Sequence, residues 1–145
     1  MRVRFFISLS FVLWCSSCRS SSAINQVCFS KGCVEVEIVQ KPEELMRGLQ
    51  FRGTLASNAG MLFIFPGENI YSFWMKDTKI PLDMIWIDHS RRVIYIKRNV
   101  PPCAQDPCPV YTPDGNARYV LEINRNDVDR FGIHINTVAN FKLSH

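Results

Sequence analysis

The sequence predicts a mainly β fold, a compact single-domain β-barrel or sandwich of six or seven short strands with one or two short helices. From Gly60 onward, short runs rich in aromatic and β-branched residues recur between turn signals. No internal repeat or long linker divides the chain. Its 145 residues make one domain's length, and 47% hydrophobic with 21% charged content is ordinary for a globular protein. That composition excludes disorder as the main state, and collagen-like or coiled-coil patterns are absent.

The N-terminus reads as a targeting segment. Arg2 and Arg4 precede a ten-residue stretch, Phe5 to Trp14, broken only by Ser8 and Ser10, and Ser16 and Ser17 follow. A basic head, a short apolar run and a small-residue exit form a secretory signal over residues 1–17. The run is much shorter than the roughly 20 residues a spanning helix needs. Cys18 after two serines resembles a bacterial lipobox, in which that cysteine is lipidated and becomes the mature N-terminus. Cys15 stands where the lipobox usually has Leu or Val. The expectation is an exported protein of the periplasm or cell envelope, held at the membrane through Cys18, with simple secretion as the alternative. Counting from Cys18 leaves 15 basic against 13 acidic residues, a balance that gives no support to a nucleic-acid partner.

Residues 18–33 read as a tether and an N-terminal disulfide segment ahead of a β domain over 34–145. With Cys15 and Cys18 set aside, four cysteines remain, and an even count in an exported chain argues for disulfides. Three pairings are possible. Local pairing, Cys28 with Cys33 and Cys103 with Cys108, closes two compact loops worth roughly 2 kcal/mol each. The competing arrangement is a four-thiolate zinc site, whose ligands usually come as closer pairs.

Val34, Val36 and Ile38 alternate with Glu35 and Glu37, the pattern of a half-buried strand. Pro42 opens a short helix whose first turn carries Glu43 and Glu44 at the positive end. Leu45, Met46 and Leu49 form its expected buried stripe, and Gly48 and Gly53 bracket its exit. Met61 to Phe65 is an apolar strand ended by Pro66-Gly67. Tyr71 to Lys76, Met84 to Asp88 and Val93 to Arg98 follow, with His89 to Arg92 as a hairpin turn between the last two. Asn99 to Gly115 holds five prolines and two cysteines and reads as an ordered loop stapled by its own bridge. Tyr119 to Ile123 and Thr137 to Lys142 complete the strands. Between them Asn124 caps a helical turn through Phe131, and Gly132 ends it.

Catalytic signatures are missing: no G-x-S-x-G, no H-E-x-x-H, no phosphate-binding glycine loop and no C-x-x-C. His89, His134 and His145 read as surface residues, and the pairs Glu35 with Glu37 and Asp127 with Asp129 as solvated faces. Methionines in an exported protein can bind Cu(I). Met46, Met61, Met75 and Met84 fall in apolar stretches and read as core filling instead. No cofactor and no metal are expected. In strict alternation Tyr71, Phe73 and Met75 share one face, while Ser72, Trp74 and Lys76 share a partly wet one. Asp83 shares a face with Ile85 and Ile87, where an ionised carboxylate needs a partner, and Arg47, Arg52 or Lys76 can supply it.

Residues 45–65, LMRGLQFRGTLASNAGMLFIF, and 73–88, FWMKDTKIPLDMIWID, together with Val120-Leu121-Glu122, resemble domain-of-unknown-function family 192. The FWMKDT-x-x-PLD segment is the most specific match, and the likeness runs from about Val34 to Phe141. The resemblance implies a compact, mostly β domain. Its PPC…CPVY loop supports pairing of Cys103 with Cys108. Arg125-Asn126 stands where the family usually has Ala-Gly, and Asn136-Thr137 where it has Gly-Asp. Asparagine can still take the left-handed geometry that glycine favours. No established activity comes with the resemblance.

Three functions fit. The first is an envelope binding or accessory module with a cleft near the FWMKDT segment, using Trp74 as a stacking platform with Lys76, Asp77, Thr78, Asp83, Arg47, Arg52 and Glu122 around it. Its ligand is a small molecule, a glycan or an envelope protein. The second is a hydrolase-like enzyme acting on an envelope polymer through Asp83 or Glu122. The third is a structural or assembly partner. If Cys18 carries the anchor, Cys18→Ala releases the protein from the membrane fraction or leaves it unprocessed. Fractionation and mass measurement decide this, and an unchanged membrane-bound mature form contradicts the lipobox.

Overall fold

The structure is a computed structural model in which residues 24–144 are described. Residues 1–17, expected to form a signal, and Cys18 lie outside the described residues. The elements are β1 (Gln26–Phe29), β2 (Gly32–Val39), α1 (Pro42–Arg47), β3 (Ala59–Asn69), β4 (Phe73–Trp74), β5 (Leu82–Ile87), β6 (Val93–Val100), β7 (Val110–Tyr111), β8 (Ala117–Asn124), α2 (Asp127–Phe131) and β9 (Asn140–Lys142). The fold is mainly β and sandwich-like. Seven strands form one sheet in the order β6-β5-β8-β3-β2-β1-β9, and β4 with β7 makes a separate two-stranded ribbon. All pairings are antiparallel except β2 with β3, which α1 joins as a crossover.

The large sheet coils without closing into a barrel. The chain entering β9 reaches the start of β6 at one bridge, Arg92 with Val138, flanked by the bond from Val93 N–H to the Thr137 carbonyl (2.9 Å). One face packs Val27, Val34, Leu62, Ile85, Leu121 and Ile123 beneath α2, which adds Val128 and Phe131. The opposite face packs Met61, Phe63, Leu82, Met84, Trp86 and Val120 beneath Leu49, Met75 and Ile80. All six residues of β5 are buried as a result. Among the described residues nine strands therefore stand where six or seven were expected, the additions being the four-residue β1 and the two-residue β7.

Several sequence expectations change. β1 pairs with β2 and β9, so the sheet includes Gln26–Phe29 ahead of Val34. Pro66-Gly67 does not end β3, which continues to Asn69 through a shift in register after Ile64. Tyr71 to Lys76 alternates as expected but pairs only at Phe73 and Trp74. The stripe assigned to α1 holds only in part: Leu45 packs against the core and Leu49 is buried, though beyond the helix end, while Met46 is 78% exposed. Asn124 closes β8 and donates from its amide to the Leu55 and Ala56 carbonyls (3.2 and 3.0 Å), while α2 starts after Asn126. Asn126 and Asn136 both take positive φ (71° and 69°), the geometry expected of glycine replacements. Asp127 is buried rather than solvated, with the Arg130 guanidinium 3.4 Å away.

Both local disulfides are present, Cys28 with Cys33 and Cys103 with Cys108. Four thiols bonded in pairs leave none for the zinc alternative.

Asp83 needs no cation. Arg52 is engaged with Glu37 (2.6 and 2.5 Å) and Lys76 with Asp106 (3.5 Å), while Arg47 lies on the opposite face of the sheet. Instead the buried carboxylate accepts the backbone N–H of Asn99 (2.8 Å) on one oxygen and of Val128 (3.1 Å) on the other. Val128 belongs to the first turn of α2, whose Asn126 side chain makes no cap, so Asp83 satisfies that free N–H from the neighbouring strand. Replacing Asp83 by Asn keeps one acceptor and turns an NH₂ toward the other donor. We expect Asp83→Asn to cost roughly 1.5–3 kcal/mol in denaturant melts, the range for hydrogen bonds to a charged group. A neutral outcome means that water takes the place of the lost bond.

Candidate functional site

The second face of the sheet is not fully covered. Between the α1–Gln50 segment and Tyr71–Thr78, over strands β3 and β8, lies an open cavity of about 290 Å³. Its walls are mainly apolar: Leu45, Met46 and Leu49 on one side, with Phe63, Phe65, Tyr71, Phe73 and Trp74 on the other. Sequence explains the aromatic wall. The Phe63/Phe65 and Tyr71/Phe73 pairs are two residues apart on extended chain and so project to one side. Phe65 stacks on Tyr71 with ring centres 3.6 Å apart, and Phe73 meets Phe63 edge-on at 4.9 Å.

Hydrogen bonds hold this wall. The Trp86 indole N–H, rising from β5, donates to the Tyr71 carbonyl (2.7 Å), and the Tyr71 hydroxyl donates to the Gly67 carbonyl (2.8 Å). Ser72 and Thr112 share a hydroxyl hydrogen bond (2.9 Å), and β4 pairs with β7 just beyond the stapled Cys103–Cys108 loop. Lys76 spans the rim, its ammonium 3.5 Å from Asp106 and 5.7 Å from the centre of the Trp74 ring. Trp74 itself is 50% exposed at the mouth.

The floor carries Glu122. Only 4% exposed, it sits in β8 between Met61 of β3 and Met84 of β5. Val120 and Glu122 share a face by parity, so the chain that fills the core at Val120 sends a carboxyl group under the cavity. Among the described residues it has no hydrogen-bond or ion-pair partner, and burial alone pushes its pKa up to about 8. Gly48 leaves the space above it. Gly48 has a φ of 48°, and a Cβ there would sit 3.1 Å from the Phe63 ring and 3.9 Å from a Glu122 carboxylate oxygen. Glycine at this corner answers both the left-handed turn and the close approach.

Of the residues singled out from sequence, Trp74, Lys76, Thr78, Arg47 and Glu122 line the cavity. Three do not. Asp77 points to solvent at a positive φ of 55°, where its carbonyl accepts the Phe51 N–H (2.8 Å). Arg52 is tied to Glu37 outside the cavity, and Asp83 lies beneath α2 on the other face. Sequence reading missed the aromatic wall and Gln50. The alternation of Phe63 with Phe65 and Tyr71 with Phe73 was visible, but nothing local showed that the two pairs meet. His89, expected as an isolated surface residue, has its ring nitrogen 2.9 Å from Glu68 on the exposed rim of the sheet.

The family model for DUF192, described as Uncharacterized ACR, matches residues 26–141. The chain belongs to the DUF192 family. Two solved structures are similar to it. One is a protein of unknown function from Novosphingobium aromaticivorans, 30% identical with a TM-score of 0.72, covering 81% of this chain and 83% of that one. The other is a "putative transcription regulator" from Sinorhizobium meliloti, 28% identical with a TM-score of 0.72, covering 81% and 91%. No curated protein matches the chain.

Glu122 also makes stability depend on pH. Between its ordinary value of 4.5 and about 8 the folded protein keeps a proton that the unfolded chain has released. Its contribution therefore falls as pH rises through that window, and the penalty is complete above it. Glu122→Gln is expected to melt close to the parent at about pH 4 and to be more stable by a few kcal/mol at about pH 9. Thermal melts of both proteins across that range check this. Parallel pH profiles mean that the carboxyl is hydrated in the folded state.

Proposed function

We propose that this DUF192 domain is an exported binding module for a small molecule, with the cavity between Gly48 and Trp74 as its site. The observation that carries the reading is an unpartnered, buried carboxyl group opening onto an aromatic-walled cavity. Burying such a group costs stability unless it is hydrogen-bonded. A ligand that bonds to it recovers part of that cost, while the apolar walls enclose the rest of the molecule. The basic head and apolar run of the N-terminus, with Cys18 behind them, support an envelope location and a lipid anchor to the membrane. On that arrangement the domain takes its ligand outside the cytoplasm, where the Cys28–Cys33 and Cys103–Cys108 disulfides persist.

Glu122 also favours a second reading. A carboxyl that holds its proton near neutral pH has the property of a general acid, so the hydrolase-like alternative now rests on Glu122 alone and not on Asp83. The two readings differ in what happens to a bound molecule: a binding module returns it unchanged.

Protein-observed NMR with a small fragment library tests the site. The expected hits shift the Trp74 indole, Thr78 and Gln50 signals together, and Trp74→Ala weakens them by about fivefold or more, in line with losing about 1 kcal/mol of aromatic contact. Hits confined to other surfaces sink the assignment. Mass spectrometry of the recovered ligands separates binding from turnover.

A further inference from the structure

Resting on the binding reading just given, we infer that the ligand is an organic cation with an apolar body, its charged head set against Glu122 and its body against the aromatic wall. Besides Glu122, the ionisable groups lining the cavity are Arg47, Lys76 and Tyr71. Lys76 is committed to Asp106 and the Trp74 face, and the Tyr71 hydroxyl to the Gly67 carbonyl. Arg47 is exposed at the end of α1 and makes no ion pair among the described residues, Glu122 included. The floor thus offers a carboxyl group with no internal counter-cation.

The walls are suited to the same charge. Aromatic faces carry negative potential, and a cation near them is attracted most when it is shielded from water. Trp74 already shows this at the rim, where it holds the Lys76 ammonium over its ring. Deeper in, a cation meets Phe63 and Phe73 together with the carboxylate. A neutral ligand gains less. It can accept the Glu122 proton, but it leaves the negative surface of the rings unused. An anion is opposed by the faces of the rings and gains from Glu122 only a hydrogen bond while the carboxyl keeps its proton. The rim cations Arg47 and Lys76 repel an incoming cation only across solvent, where salt screens them, while the attraction at the floor acts in a water-poor place.

Binding then carries a proton step that balances simply. In the free protein near neutral pH the Glu122 carboxyl holds its proton. The entering cation bonds to the carboxylate, and the displaced proton leaves to buffer.

Benzylguanidine and benzylurea make a near-isosteric test pair, one cationic throughout the working range and the other neutral. Calorimetry on the protein is expected to give benzylguanidine at least tenfold tighter than benzylurea. Close to one proton should be released per cation bound at about pH 7, read from the dependence of the heat on buffer ionisation. Because Glu122 ionises near pH 8, the affinity for benzylguanidine should rise roughly tenfold between about pH 7 and pH 9. Glu122→Gln should abolish that rise, and the proton release with it. If benzylurea binds equally well, or no proton is released, the cation assignment is wrong while the cavity can still be a binding site. If benzylguanidine does not bind although neutral fragments occupy the cavity, the assignment is equally overturned. If neither probe nor any fragment shifts Trp74, Thr78 and Gln50, the binding reading itself falls.

Discussion

The three central strands β3, β8 and β5 are covered on both faces, and this double burial governs everything else in the molecule. A strand with one wet face can place its polar residues there. These strands cannot, so each polar side chain on them has to be answered by a segment packed against the sheet. Asp83 and Glu122 are the two acids so placed, one on each face. Their opposite fates divide the molecule into a side that holds the fold and a side that is open to chemistry.

On the α2 face the answer comes from backbone. Asp83 takes one N–H from Asn99 and one from Val128, which ties β6 and the first turn of α2 to β5. On the other face, the covering segments leave a gap above Glu122. Leu49, Phe63 and Met75 close the core around it, but Gly48 and the aromatic pairs stop short of the carboxyl. Met84 and Trp86 are sealed beneath apolar side chains, whereas Glu122, almost as buried, borders the cavity, which argues for a space kept open for an occupant.

Much of this was legible beforehand. The mainly β character followed from period-two runs such as Val34–Val39, and both disulfides followed from local spacing. Asn126 and Asn136 were readable as left-handed turn positions. Asp83 was marked as an acid on an apolar face, but its partners are backbone groups far along the chain, which residue identity does not encode. Met46 was misplaced for a similar reason. A six-residue helix has too few turns for its apolar spacing to fix a buried face, and Met46 ends up at the cavity mouth. Glu122 was named, yet its isolation depends on three strands meeting in register and on a glycine across the gap.

The outer wall of the cavity has its own character. It hangs on a ribbon of two-residue strands, the Trp86 to Tyr71 bond, the Ser72–Thr112 pair and a loop closed on itself by Cys103 and Cys108. None of these is a rung of the seven-stranded sheet. The Tyr71–Thr78 side of the wall is thus held by side-chain bonds and by the packing of Phe73 and Met75 on the core, and not by the ladder of the sheet. The bridge between Cys103 and Cys108 closes the loop behind that wall on itself, so the chain there has little slack even where the sheet gives it no ladder.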